Sequence, residues 1–290
     1  MTAPALISVV VPLLDDAEHL PDQLEALAAQ DYAGRWEVIV ADNGSRDGGV
    51  AVAERGVAAL PDGRVIHAGE PRSAGHARNA GAADARGDFL AFCDADDVVR
   101  DDWLTEMAAA AADGDIVAGA VDSERLNAPL PRSWHRRPPR ELALESFRFL
   151  VHASGTNTGV WAETFHGLGG FDEDLRAGED IEFSWRAQLA GHRLVVAERA
   201  VAHERLRTDV RALARQGFAY GQAGPGLYRR FVGGGMPRPR PGDLLRTCGR
   251  LVASAPLTPF SPRARGRWAL DAALQAGRVA GSIRSGVVFL

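Results

Sequence analysis

The 290-residue chain is 46% hydrophobic, carries 33 basic and 38 acidic residues for a formal charge of −5, and contains two cysteines. That suits one large α/β domain with an appendage. No apolar run approaches the roughly 18 residues of a membrane span. Cys93 and Cys248 argue for a reducing compartment and against a thiolate metal site. No leader pattern precedes the first apolar run, so a cytoplasmic protein is expected. Every basic residue is arginine, which excludes chemistry that needs an ammonium group, such as a P-loop lysine or a Schiff base.

In chain order, Ile7–Val11 reads as an apolar strand ended by Pro12. Asp16 can cap a helix with Leu20, Leu24 and Leu27 on one face. Trp36–Ala41 is a second strand. The turn Asp42–Asp47 leads into a helix carrying Val50, Ala53, Val57 and Leu60. Arg64–Ala68 is a short strand, Ser73–Arg86 an alanine-rich helix, Phe89–Cys93 a buried strand, Trp103–Ala112 a helix and Asp115–Val121 another strand. This alternation predicts a parallel sheet. It breaks at Asp122–Arg140, a loop rich in proline and arginine whose length marks it as functional. A helix is expected near Glu141–Val151, then a glycine-rich segment with a strand at Thr158–Trp161. A helix from Gly178 through Ala190 and a strand at Arg193–Ala197 follow. Beyond Asp209 the pattern is helical, with a break at Gly233–Pro241.

The strand Phe89–Cys93 ends in Asp94, Asp96 and Asp97, three carboxylates within four positions. In an open α/β sheet that end opens into the ligand crevice. Carboxylates so crowded repel unless a cation sits between them, and a divalent metal carrying phosphate oxygens is the usual solution. An acidic loop capping the next helix is the alternative.

Four motifs in order, Val9–Pro12, Val40–Ser45, Ala77–Gly81 with Arg86–Asp97, and Gly169–Asp172 leading to Gly178–Asp180, resemble the family 2 inverting glycosyltransferases of GT-A fold. The resemblance spans about residues 5–205. It implies a Rossmann-like, mostly parallel sheet flanked by helices, and transfer of a sugar from a nucleotide diphosphate, UDP first with dTDP or GDP as alternatives, to a hydroxyl acceptor. On this reading residues 1–121 bind the donor, 122–205 bind the acceptor and catalyse, and 206–290 form a basic, mainly helical C-terminal extension. Pro12, Asp42, Arg78, Asn79 and Asp94 would bind the nucleotide. Asp96 and His203 would ligate Mn2+ or Mg2+, ions suited to oxygen donors. Asp180 would be the general base, since direct displacement requires the acceptor hydroxyl to lose its proton. Asp15, Asn157, Glu179, Trp185 and Arg186 are further candidate contacts to donor or acceptor. Leu14 departs from the family pattern by replacing the aromatic residue that would stack on the base.

A sugar-phosphate nucleotidyltransferase would need a glycine-rich N-terminal phosphate loop and a lysine, and this chain has neither. A nucleotide-sugar-binding protein without turnover is the other alternative. From His203 to Leu290 there are 15 Arg against 4 Asp and Glu, a balance of +11, leaving −16 on residues 1–202. The tail at Arg263–Leu290, ending in Val287–Leu290, mixes arginines with Trp268, Leu270, Leu274, Val279 and Ile283. It suits a helix at an anionic membrane surface, peripheral to the inner face, or packing on the body. Nucleic acid is not expected, because the arginines are not interleaved with stacking aromatics.

Overall fold

A computed structural model describes residues 3–138, 140–142 and 144–289; Pro139 of the expected loop and the terminal Leu290 lie outside them. The first part of the chain forms β1 (Ile7–Leu13), α1 (Leu20–Ala28), β2 (Trp36–Asp42), α2 (Gly49–Val57), β3 (Arg64–His67), α3 (Ala74–Asp84), β4 (Phe89–Cys93), β5 (Val98–Val99), α4 (Trp103–Ala111) and β6 (Ile116–Asp122). Then come α5 (Pro129–Trp134), β7 (Arg140–Glu141), β8 (Leu144–Glu145), β9 (Val151–His152), β10 (Asn157–Trp161), α6 (Ala162–Gly167), α7 (Glu179–Leu189) and β11 (Leu194–His203). The helices α8 (Val210–Phe231), α9 (Pro241–Ser254) and α10 (Pro262–Ser285) complete the chain.

The main sheet runs β3-β2-β1-β4-β10-β6-β11-β5, with β7 paired to β6. Strands β3, β2, β1 and β4 are mutually parallel, while β10 enters antiparallel between β4 and β6. The chain reverses its direction of progress across the sheet between β1 and β4, and at such a point the carboxyl ends of the strands leave a crevice. Alternation in β1 divides its side chains between two cores. Val9 and Val11 face α1, α2 and α4, whereas Val10 faces the side that buries Phe92, Phe165, Phe171 and Phe183. Leu20, Leu24 and Leu27 are buried on α1 as their spacing predicts. That helix starts at His19 with a proline in its first turn. The Asp16 carboxylate does not cap it as expected: the N-cap is His19, Leu20 N donates to the main-chain O of Asp16 at 3.2 Å, and Asp16 Oδ1 meets the His19 ring at Nδ1, 2.7 Å away.

Two expectations change. Ala143 of the expected helix lies outside the described residues, and the described residues of 141–151 are not helical. They contribute to the short strands β7, β8 and β9, and Phe147 and Arg148 have φ of 57° and 53°, which no right-handed helix accommodates. The payoff lies in the side chains, because Phe147 and Phe149 meet Trp185 edge to face at 6.2 and 5.0 Å. The proline-rich loop contains α5. Its Trp134 is buried against Gly266 of α10, where a Cβ would stand 2.3 Å from the indole, and donates to Pro262 O at 3.2 Å. An aromatic cluster of Trp185, Leu227, Tyr228, Phe231, Met236 and Phe289 joins α7 to the C-terminal helices. No helix among the described residues is long and apolar enough to cross a membrane.

Candidate active site

At the carboxyl ends of β1 and β4 lies a cleft of about 450 Å³, lined by Pro12, Asp15, Asn43, Arg78, Asp94 and Asp96 among others. The acidic loop below it is fastened from two sides. Buried Gln23 donates to Asp94 O at 3.1 Å and accepts from Val99 N at 3.0 Å. Arg205 donates from Nε to Asp96 O at 3.0 Å, and its backbone N donates to Asp97 Oδ1 at 2.9 Å.

Helix α3 is capped by Ser73, whose hydroxyl accepts from His76 N at 3.2 Å. It carries Arg78 into the protein, where the guanidinium donates to Asp94 Oδ1 at 2.6 Å and Glu179 Oε1 at 2.8 Å. Burial opposes its charge, but Asp94 and Glu179 outweigh burial and raise its pKa. Gly75, one turn earlier, packs next to α7; a Cβ there would meet Glu179 Cγ at 3.4 Å, an ordinary contact. Arg78 therefore ties the cleft-lining carboxylate Asp94 to the first residue of α7. The second residue, Asp180, accepts from Gly155 N at 2.9 Å and Ile181 N at 2.8 Å. Each carboxylate oxygen keeps a lone pair beyond those bonds. Burial and the adjacent Asp180 raise the Glu179 pKa, against the pull of Arg78.

One ligand oxygen from each of Asp94, Asp96 and Asp97 lies within 4.8 Å of the others. Burial, with Asp94 alongside, pushes Asp96 up to about 6, and burial beside Asp96 and Asp94 raises Asp97 well above the ordinary aspartate value. Three buried polar atoms beside the cleft, Asn43 Oδ1, Arg78 Nε and Asp97 Oδ2, have no protein partner. A hard-oxygen donor set with an orphaned carboxylate oxygen fits Mg2+ or Mn2+. Arg207, which sequence reasoning missed, reaches Asp96 Oδ2 at 3.4 Å from the segment after β11. The arginines that follow His203 were its only signal.

Several expected contacts are placed elsewhere. His203 does not join the triad: the register of β11 sets it opposite Asp122, 3.4 Å from Nδ1 to Oδ1. Burial lowers its pKa despite that partner. Asp42 folds back on its own turn, accepting from Gly44 N and Ser45 N at 3.1 and 3.0 Å. Burial would raise its carboxyl, but the bonds from Ser45 and Gly44 prevail and hold it below the ordinary range. Asn79 braces the loop before α7, exchanging bonds with Phe171 and donating to Glu173. Asn157 is fully buried, accepting from Trp103 and donating to Ala120 O and Ala200 O. Trp185 is also fully buried and donates to Leu150 O. Arg186 donates to Leu168 O and Gly170 O and pairs with Glu182. These last four side chains are consumed by the scaffold, so a substrate meets them only through what they position. Asp15, at φ 52°, accepts from Arg46 N at 2.6 Å on the cleft rim.

The model of the family "Glycosyl transferase family 2" matches residues 8–168. Among curated relatives, Glycosyltransferase AglE of Haloferax volcanii is 29% identical over 66% of this chain and 64% of its own length. The pre-mycofactocin glycosyltransferase of Mycobacterium tuberculosis is 29% identical over 76% of this chain and 47% of its own. The chain thus spans less than two thirds of these relatives. Among solved structures, a mannosyltransferase from Pyrobaculum calidifontis in complex with GDP-Man and Mn2+ superposes with a TM-score of 0.63 at 20% identity. It covers 97% of this chain and 88% of that one. TarS of Staphylococcus aureus in complex with UDP-GlcNAc gives 0.56 at 19%, over 99% and 93%. The shared architecture is the GT-A fold.

Proposed function

We propose that this chain, which belongs to glycosyl transferase family 2, transfers a sugar from a nucleotide-diphosphate donor to a hydroxyl acceptor with inversion at the anomeric carbon. The observation that carries this reading is the Asp94–Arg78–Glu179 bridge, which joins a carboxylate lining the cleft to the residue that precedes Asp180 in α7. Pro12, Asp15, Asn43 and Arg78 would receive the nucleotide, and the solved likenesses hold GDP-Man and UDP-GlcNAc. UDP is the first donor to test.

Asp96, with Asp94 and Asp97, would hold Mg2+ or Mn2+, which when bound neutralises charge on the departing diphosphate. Asp180 takes the proton from the acceptor oxygen as that oxygen attacks from the face opposite the leaving group. Backbone bonds to both of its oxygens fix the carboxylate's plane before substrate arrives. The segment 122–205 supplies the acceptor side, and its hydroxyl compound is to be found by product mass after incubation with extract and several nucleotide sugars.

Asp180→Asn should lower kcat by at least roughly 10²-fold with donor affinity little changed. A loss confined to donor KM would remove Asp180 from the role of base. NMR of the product should show the inverted anomer. A variant-insensitive assay without turnover on any nucleotide sugar would favour a binding protein that has kept the fold.

A further inference from the structure

Helix α9 is out of place as a water-facing element. None of its described side chains is buried. Leu245 is 72% exposed and Val252 76%, and in the turn that follows Leu257 is 56% and Phe260 87% exposed. Leu245 and Val252, seven residues apart, share a helical face, with Arg246 and Arg250 beside it. An apolar ridge of this kind marks an interaction surface. It continues into an apolar groove of about 720 Å³ formed by Leu244, Leu245, Val287, Val288 and Tyr228, with Arg238 among its lining residues.

The charge around the ridge is one-sided. Between residues 238 and 267 there are seven arginines and a single carboxylate, Asp243. Helix α10, the tail expected at a membrane, is covered along one face, where Leu270 and Leu274 lie against Gly217 and Gly221 of α8. Its Val279 and Ile283 stay 47% and 78% exposed, while α9 has no buried side chain at all among those described. A second copy of this chain would have to bring an equally basic face against this one, and like charges across a symmetric contact are repulsive. A bilayer with anionic head groups supplies both an apolar depth for the ridge and negative charge for its flanks.

We propose that α9 and the turn through Phe260 are a docking surface for an anionic phospholipid bilayer, with the groove at Leu245 and Val288 open to a lipid chain. The test uses the full-length protein and sedimentation with vesicles of phosphatidylglycerol mixed with phosphatidylcholine, against phosphatidylcholine alone. The protein should sediment with the anionic vesicles at low salt and be released as salt rises. Arg246→Ala with Arg250→Ala should weaken partition roughly 25-fold. Leu245→Ser, Val252→Ser and Phe260→Ser together should weaken it at least about tenfold. Val196→Ser, an exposed apolar residue of the body, should sediment as wild type. If either combined variant lost its melting transition, Phe260→Ser alone would carry the test, since that ring packs on almost nothing. Wild-type protein that stays in the supernatant with anionic vesicles at low salt overturns the proposal, as do folded variants that sediment as wild type. So does a ridge substitution that abolishes a dimer seen by light scattering while leaving vesicle binding intact.

Discussion

Where α3, β4 and α7 meet, the chain buries a guanidinium between two carboxylates, Asp94 and Glu179. Where α8 and α10 meet, it puts backbone against backbone. A Cβ on Gly221 would stand 2.2 Å from Leu274 O, one on Gly277 2.2 Å from Phe218 O, and one on Gly281 2.7 Å from Gln222 O. The first junction is held by charge and hydrogen bonds, with Arg78 Nε left without a protein partner. The second is held mainly by close packing of backbone on backbone, with Gln275 Oε1 of α10 buried without a partner beside it. A site that must receive a polyanion cannot be built the second way, and a rigid arm has no need of the first.

The largest effect should come from Arg78→Ala, which strands two buried carboxylates and should cost about 3–5 kcal/mol in denaturant unfolding. Adding Glu179→Gln should restore part of the loss. If the double variant were no more stable than the single, the bridge would not be the seat of the coupling. Next is Glu37, the centre of a second buried charge cluster at the amino ends of β1, β2 and β3. Burial alone would raise its carboxyl, but bonds from Arg64, Ser8 and Arg86 outweigh that and hold it at about 2. Its folded pKa lies below that of an unfolded glutamate, about 4.3. The stabilisation is therefore complete above that pH and disappears as pH falls through about 2, because the unfolded chain binds the proton first. Glu37→Gln should cost about 2–4 kcal/mol near neutrality and flatten the acid limb of a Tm-against-pH curve.

On the shape-held side, Gly277→Val should cost about 2–3 kcal/mol by forcing α8 and α10 apart. Its penalty should not change with pH between about 4 and 7, as Tm series of both proteins can show. A pH-dependent penalty would mean that charge contributes to the arm after all. The smallest effect belongs to Leu14, 42% exposed on the cleft wall. Leu14→Tyr should tighten UDP binding by about 1 kcal/mol through stacking, read by calorimetry. An unchanged Kd would place the base away from this residue.

Periodicity and composition alone determined the strands of the front half, the amphipathic face of α1 and the acidic end of β4, because buried runs and period-3.6 patterns are local properties. The order of motifs proposes Asp94, Asp96, Arg78 and Asp180 for the site, while the bridge of Arg78 from Asp94 to Glu179 is set by the tertiary structure. Tertiary structure decided what those patterns leave open. Asn79, Asn157, Trp185 and Arg186 are polar or amphipathic side chains in motif positions. Whether each faces a ligand or satisfies a buried carbonyl depends on which distant backbone lies 2.5–3 Å away. His203 was assigned by strand register and Arg207 by the path of the chain beyond it. The helix expected at 141–151 yielded to aromatic burial against Trp185, a long-range term that local propensity does not contain. In the tail the sequence supplied arginines interspersed with apolar residues in both α9 and α10. Only packing on α8 determined which faces of these helices are covered, because burial is a property of neighbours and not of a helix by itself.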